Sequence, residues 1–251
     1  MRLAVVLPYQ NRELYKEFQK QYLTNYLSDK DINHRIFFCE QNNNNVFNRS
    51  KTINFGVKFA IEYYRPDYLV ISDIDTVPIN VNYVYKDLAE VWFMTAGGVK
   101  ISTKDFIKVN GFNNKFEGWG YEDSEFWHRL DVFNIKNEEW HKSVKKAELI
   151  DLELFEEDSL KYSKSYFGLD APPRVYKSAE HSLTKDICVQ YPKTWLTKQY
   201  RDKNNELYEF VKSMSKSKSI DYFIKNGLNE LKIEDVILES RTDTISELHW
   251  K

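Results

Sequence analysis

Three short apolar runs, at residues 3–7, 36–39 and 68–72, limit what this chain can fold into more than any other feature. Each is too short for a helix and lacks polar alternation, so each reads as a strand covered on both faces in a mainly parallel sheet. Helical periodicity fills the gaps. From Ser50 onward Ile53, Val57, Ala60, Ile61 and Tyr64 recur at helical spacing, and the Arg65-Pro66 step ends that helix. Leu14, Phe18, Tyr22 and Tyr26 form a similar stripe after the first run. The β-α-β-α-β order predicts an α/β domain, its mainly parallel sheet flanked by helices, with ligands at the carboxyl ends of the strands.

Composition narrows the class. With 251 residues, 42% hydrophobic and 29% charged, the chain has ample material for a substantial core. A formal net charge of -2 argues against broad electrostatic binding to nucleic acid. Cys39 and Cys188 are too few for a disulfide framework and read as reduced core thiols. The apolar run that begins at Leu3 is too short for a signal-peptide core, and no stretch approaches the roughly 20 apolar residues of a membrane helix. A cytoplasmic location is therefore expected. Membrane contact should be at most peripheral, to an inner membrane face, through lysines such as Lys212, Lys216 and Lys218.

The expected organisation is one domain at 1–195, with a charged insertion at about 138–171 before Pro172-Pro173, and a helical C-terminal extension at 196–251. The polar stretch from Gln41 to Asn45 reads as a turn.

Two places carry chemistry. The third apolar run ends in Asp73-Ile-Asp75, whose carboxylates share one side of an extended segment at the rim of the predicted crevice. Hard oxygen ligands of this kind suit Mg²⁺ or Mn²⁺, which would stabilise charge on a departing diphosphate. Further on, Gly118-Trp-Gly-Tyr121 precedes Glu122 and Asp123, which open a helix continued by Phe126, Trp127 and Leu130. Acidic residues at a helix N-terminus are ordinary dipole partners. Here Trp119 adds a flat apolar face for a sugar ring, and Gly118 and Gly120 give it a hinge. A carboxylate within reach of a sugar hydroxyl is what glycosyl transfer requires.

Five ordered blocks carry a resemblance. They are Val6-Leu-Pro-Tyr-Gln-Asn-Arg12, Phe47-Asn-Arg-Ser-Lys51, Ser72-Asp-Ile-Asp-Thr-Val-Pro78, Gly97-Gly98, and Asn110-Gly-Phe112 through Gly118-Trp-Gly-Tyr-Glu-Asp123. On them the chain resembles the β-1,4-galactosyltransferase (GT7-type) group of inverting GT-A glycosyltransferases and its bacterial relatives in capsule and lipopolysaccharide assembly. The resemblance implies a Rossmann-like GT-A fold. It implies that Pro8, Tyr9, Arg12, Phe47 and Arg49 hold the uridine and phosphates of a UDP-sugar, with Asp73, Gly97 and Gly98 also on the donor side. Asp75 would be the metal carboxylate for Mn²⁺, with Mg²⁺ as the alternative, and His181 the metal histidine, His141 being its competitor. Glu122 would bind the acceptor, Asp123 would act as general base, and Trp119 would close over the donor. The acceptor would be a saccharide or lipid-linked saccharide.

The chain departs from the family pattern in four places. The interval from Asp123 to His181 is long, and Ser178 stands where relatives carry a methionine ligand. Thr95 and Ala96 replace bulky aromatics before the glycine pair, which leaves room for an N-acetyl group. Tyr121 replaces a glycine, and its ring either narrows the acceptor pocket or faces outward. Two alternatives stay open: a retaining GT-A N-acetylgalactosaminyltransferase, and a catalytically silent sugar-nucleotide or carbohydrate-binding protein.

Overall fold

The computed structural model describes residues 1–74, 76–78, 83–91, 98–118, 120–139, 149–151 and 198–250. In chain order the elements are β1 (Leu3–Tyr9), α1 (Glu13–Ser28), β2 (His34–Gln41), α2 (Arg49–Tyr63), β3 (Tyr68–Ile71), β4 (Thr76–Pro78), β5 (Ala89–Val91), β6 (Val99–Ser102) and α3 (Thr103–Lys108). There follow α4 (Glu122–Val132), β7 (Asn137–Glu139), β8 (Leu149–Asp151), α5 (Lys198–Lys212), α6 (Lys216–Lys225), β9 (Val236–Arg241) and β10 (Ile245–Trp250). The three predicted strands and the two predicted helices between them are all present.

β1 is the centre of the sheet and pairs in parallel with β2 on one side and β3 on the other. Its continuous apolar character follows from being covered twice. Leu3, Val5, Leu7 and Tyr9 pack with Tyr15, Phe18, Tyr22, Leu23 and Leu27 of α1. Ala4 and Val6 turn the other way and pack with Ile53, Val57, Phe59 and Ala60 of α2. The period-two alternation of a strand thus assigns one helix to each face. Gly56 lets α2 sit close: a Cβ there would overlap Cys39 Sγ and come within 2.9 Å of Val6 Cγ1.

Beyond this unit, β6 joins β3 and β5 joins β6, both antiparallel, and β7 adds to β5 in parallel. On the opposite side β10 pairs with β2 in parallel and β9 closes the edge antiparallel to β10. The eight-stranded order is β7-β5-β6-β3-β1-β2-β10-β9, and β4 and β8 form a separate pair. Among the described residues no helix is long and apolar enough to cross a membrane.

The C-terminal stretch holds the expected helices, α5 and α6, and then continues into the β9–β10 hairpin, which the sequence reading did not foresee. The apolar pattern of β10 is broken by Glu247, a buried carboxylate. Lys20 Nζ at 2.5 Å and Lys16 Nζ at 3.4 Å, both on α1, neutralise it there. Residues 138–139 of the expected insertion fall in β7 and 149–151 form β8; its remainder lies outside the described residues, as does Cys188. Cys39 is a buried free thiol, and burial pushes its pKa up.

Candidate active site

The site lies where β1, β3 and the N-termini of α2 and α4 meet. Pro8 and Tyr9 end β1 and are buried. Gln10 follows, its Nε2 donating to the carbonyls of Asn43 at 2.6 Å and Asn45 at 3.2 Å. Gln41 donates from Nε2 to Asn43 Oδ1 at 2.8 Å and accepts at Oε1 from Asn48 N at 2.7 Å. The asparagine run is therefore the expected turn, tied to the ends of β1 and β2. Arg12 precedes α1, its guanidinium 5.4 Å from the Tyr15 ring centroid.

Asn48 caps α2 by accepting from Lys51 N at 2.8 Å, which sets Arg49 as the first helical residue. Just beyond the end of the neighbouring β3, Ile74 turns into the core, where Gln19 Nε2 donates to its carbonyl at 3.1 Å. Asp73 consequently points to the opposite side and accepts at Oδ1 from Arg49 Nε at 2.7 Å. The same guanidinium donates from Nη1 to Asp123 Oδ1 at 2.9 Å and lies 4.0 Å from Glu122 Oε1. One arginine thus bridges the acidic groups of two motifs, binding Asp73 from 24 positions away and Asp123 from 74.

The electrostatics are those of a partly desolvated cluster. Burial alone would lower the Arg49 pKa, but Asp123, Asp73 and Glu122 outweigh it and hold the cation firmly charged. Burial, reinforced by the Asp123 charge, pushes Glu122 up to about 7 despite Arg49. Burial also raises Asp123, against the Arg49 charge and hydrogen bond. Glu122 Oε2 is buried without a hydrogen-bond partner among the described residues. Such an oxygen invites a hydroxyl donor.

The loop before α4 is built from the Asn110-Gly-Phe motif. Asn110 and Gly111 have φ of 61° and 62°, and a Cβ on Gly111 would overlap Asn54 Oδ1 and crowd the Phe106 ring at 2.9 Å. Glycine is needed there on both counts. Asn54 holds the next residue by both its groups: Oδ1 accepts from Phe112 N at 3.0 Å and Nδ2 donates to Phe112 O at 2.7 Å. Phe112 then stacks on Phe126 of α4, centroids 4.1 Å apart. Arg129, fully buried, pairs with Glu125 at 2.8 Å and donates to the carbonyls of Val109, Gly111 and Asn226. Gly118 N donates to Phe47 O at 2.9 Å, joining the segment before α4 to the second motif.

Of the residues singled out in the sequence, the structure brings Arg49, Asp73, Glu122 and Asp123 together, with Phe47 alongside through its carbonyl. Gly98 is buried just before β6. Asp75, Gly97, Trp119 and His181 lie outside the described residues, as do His141, Thr95, Ala96 and Ser178. Arg49, implied to lie on the donor side with an ion pair as the alternative reading, engages the carboxylates of Asp73 and Asp123. His128 packs edge-on against Phe223, centroids 6.1 Å apart. The Tyr121 ring stacks on Tyr208 of α5 at 5.6 Å.

Sequence reasoning missed Asn54, the Glu125–Arg129 pair and the α5 residues. The i,i+4 spacing of Glu125 and Arg129 was visible, whereas nothing in the sequence linked Tyr208 to Tyr121. Among the described residues no group of three or more His, Cys, Asp or Glu side chains is arranged to hold a metal.

Comparisons with known proteins agree with the motifs. Residues 1–87 match the family model described as the N-terminal region of glycosyl transferase group 7. Residues 84–151 match the model described as the N-terminal domain of galactosyltransferase. The chain is 28% identical over 145 residues to β-1,4-galactosyltransferase 1 of Bos taurus, covering 51% of this chain and 36% of that protein. It is 32% identical over 146 residues to xylosylprotein 4-β-galactosyltransferase of Caenorhabditis elegans, covering 51% and 50%. The matches thus span about a third to a half of these relatives' lengths.

Two solved structures share the fold over 100% of this chain and 94% of theirs. One is the catalytic domain of Drosophila β-1,4-galactosyltransferase 7 with xylobiose, at TM-score 0.59 and 17% identity. The other is a mutant of that enzyme with manganese, UDP-Gal and xylobiose, at TM-score 0.57 and 18% identity. With two consecutive models of one family spanning residues 1–151, and the acidic groups of its motifs meeting across Arg49, the chain belongs to the glycosyl transferase group 7 (galactosyltransferase) family and has a GT-A-type α/β fold.

Proposed function

We propose that the protein is a divalent-metal-dependent inverting glycosyltransferase. It would move galactose or an N-acetylhexosamine (GalNAc or GlcNAc) from a UDP-sugar to a saccharide hydroxyl, giving a β-linkage in surface glycan synthesis. One observation carries the reading: Asp73, from the donor motif, and Glu122 and Asp123, from the acceptor motif, converge on the Arg49 guanidinium. A silent binding protein would have no need to gather three carboxylates at the mouth of the sheet.

The residues divide the work. Glu122 Oε2, buried and unpartnered among the described residues, accepts a hydrogen bond from an acceptor hydroxyl and orients it. Asp123, made more basic by burial, takes the proton of the attacking hydroxyl. The freed oxygen bonds to the anomeric carbon as that carbon's bond to UDP breaks. Arg49 fixes Asp123 through Oδ1 so that the carboxylate is aimed before substrate arrives. Oxygen donors at the end of β3 suit a hard divalent ion, and by the family resemblance Asp75 and His181 would hold Mn²⁺, or Mg²⁺ in its place. When bound, that ion supplies charge stabilisation to the departing diphosphate.

The test is UDP release from a panel of UDP-sugars with Mn²⁺ and with EDTA, in the wild-type protein and in Asp123→Asn. Metal-dependent release favouring one or two donors is expected, with transfer lost and UDP binding kept in the variant. No release together with no calorimetric binding of UDP and Mn²⁺ would favour the silent binding protein. In the same panel, room at Thr95 and Ala96 predicts turnover of N-acetylated donors; unchanged turnover in Thr95→Tyr would count against that.

A further inference from the structure

Glu122 and Asp123 are the first two residues of α4, so their direction depends on Tyr121, whose carbonyl accepts from Glu125 N at 2.9 Å and starts the helix. Tyr121 has φ 70° and ψ -8°, a left-handed conformation that glycine adopts freely and a residue with a Cβ does not. No side chain caps this helix end. The hydrogen bonds of α4 alone therefore do not explain why a tyrosine stays there.

The support comes from α5, 77 residues or more downstream of Tyr121. Tyr208 stacks on the Tyr121 ring with centroids 5.6 Å apart and planes at 28°. Asn204, fully buried, donates from Nδ2 to Glu117 O at 2.9 Å, and Lys203 Nζ meets Glu117 Oε2 at 2.9 Å. A Cβ on Gly120 would stand 3.8 Å from Arg201 Cγ. α5 thus contacts the turn at residues 117 and 121 while Phe47 holds residue 118 from the other side.

We propose that α5 is a positioning element for the acidic pair: Tyr208 holds Tyr121 in its left-handed conformation and Asn204 anchors the turn before it. This rests on the transferase reading given above. Without the stack, Tyr121 relaxes toward an ordinary negative φ, the first turn of α4 rotates, and Asp123 is no longer presented on Arg49. Glycine at position 121 would need no such support, because it holds the conformation unaided.

That last point makes the inference testable. Transfer from UDP-Gal is measured to p-nitrophenyl glycosides of xylose, glucose and GlcNAc, using whichever the wild-type protein accepts best, beside calorimetric binding of UDP with Mn²⁺. Tyr208→Ala should lower transfer kcat at least tenfold and leave UDP binding within twofold, whereas Tyr208→Phe, which keeps the ring, should stay within twofold in both. Adding Tyr121→Gly to Tyr208→Ala should restore most of the lost kcat.

Wild-type transfer in Tyr208→Ala, or a loss that Tyr121→Gly does not rescue, would overturn the proposal. If Tyr208→Ala does not fold, Tyr208→Leu takes its place with the same two outcomes. Absence of metal-dependent UDP release by the wild-type protein would defeat the transferase reading instead. The stack is then judged by a urea double-mutant cycle between Tyr121→Gly and Tyr208→Ala, where additive effects would sink it.

Discussion

Arg49→Met is the sharpest perturbation of the site, because it removes the cation and keeps an unbranched side chain of similar length at the first position of α2. In the folded protein Arg49 makes a 2.7 Å bond to Asp73 and a 2.9 Å bond to Asp123. Removing one partner of a buried ion pair costs about 3–5 kcal/mol. Asp73 and Asp123 keep 30% and 36% of their side chains exposed, so water takes over part of the lost interaction. A loss of about 2–3 kcal/mol at pH 8 follows from that discount. For a chain of this size that is a fall in Tm of roughly 5–10 °C. The loss should depend on pH. Without the cation the pKa values of Glu122 and Asp123, already raised by burial, rise further above their unfolded values, so the folded variant binds more protons than its unfolded chain. Its deficit relative to wild type then shrinks as pH falls from above 7 toward the ordinary carboxylate range. Urea unfolding at pH 8 and pH 5 reads this directly. A deficit below about 1 kcal/mol at pH 8, or one equal at the two pH values, would refute Arg49 as the electrostatic hub.

Three further outcomes follow from the geometry. Glu122 has a pKa raised to about 7 by burial, so it gains full charge only above that value; acceptor KM should fall as pH rises from 6 to 8, and Glu122→Gln should flatten the dependence. Gly111→Ala must place a Cβ against Asn54 Oδ1 at φ 62°, and a net loss of about 2–4 kcal/mol is expected in chemical denaturation, after allowing for the stiffer unfolded chain. Arg129→Met strands the fully buried Glu125 and should cost about 3–5 kcal/mol, part of which Glu125→Gln in the same chain should recover; no recovery would mean that the pair itself matters little.

The βαβαβ core was legible because β1, β2 and β3 are covered on both faces, which forces uninterrupted apolar runs, and because α1 and α2 each bury one stripe. The acidic pair was legible for a related reason: Glu122 and Asp123 sit where a glycine-rich turn meets a helix start, a pattern confined to a few adjacent residues. What escaped was non-local. The carboxylate partners of Arg49 escaped because sequence order does not reveal that Asp73 and Asp123 approach it from two other elements. β10 escaped because Glu247 breaks its apolar pattern, and the lysines that make a buried glutamate tolerable lie 227 and 231 positions away. Tyr208 carries no local mark at all; its role exists only once α5 lies against the turn at Tyr121.

β10 also sets a requirement that the family match at residues 1–151 does not contain. It pairs with β2 along six residues, and Trp250 closes over α2: its Nε1 donates to Thr52 Oγ1 at 3.1 Å and its ring tilts against Phe55 with centroids 5.1 Å apart. Ile245, Leu248 and Trp250 are each more than nine-tenths buried. At about 1.5–3 kcal/mol for each large apolar side chain, they contribute roughly 5–9 kcal/mol, before counting the Glu247 pairs to Lys16 and Lys20. A whole domain of this kind is stable by only about 5–15 kcal/mol. Removal of residues 236–251 should therefore leave a chain that no longer unfolds cooperatively, and the exposed hydrogen-bonding edge of β2 should drive it to associate. Thermal unfolding followed by circular dichroism, together with size-exclusion chromatography, decides the matter. A monomeric 1–235 chain melting within a few degrees of the full protein would show that the hairpin is an appendage, and that the elements before it hold the site without it.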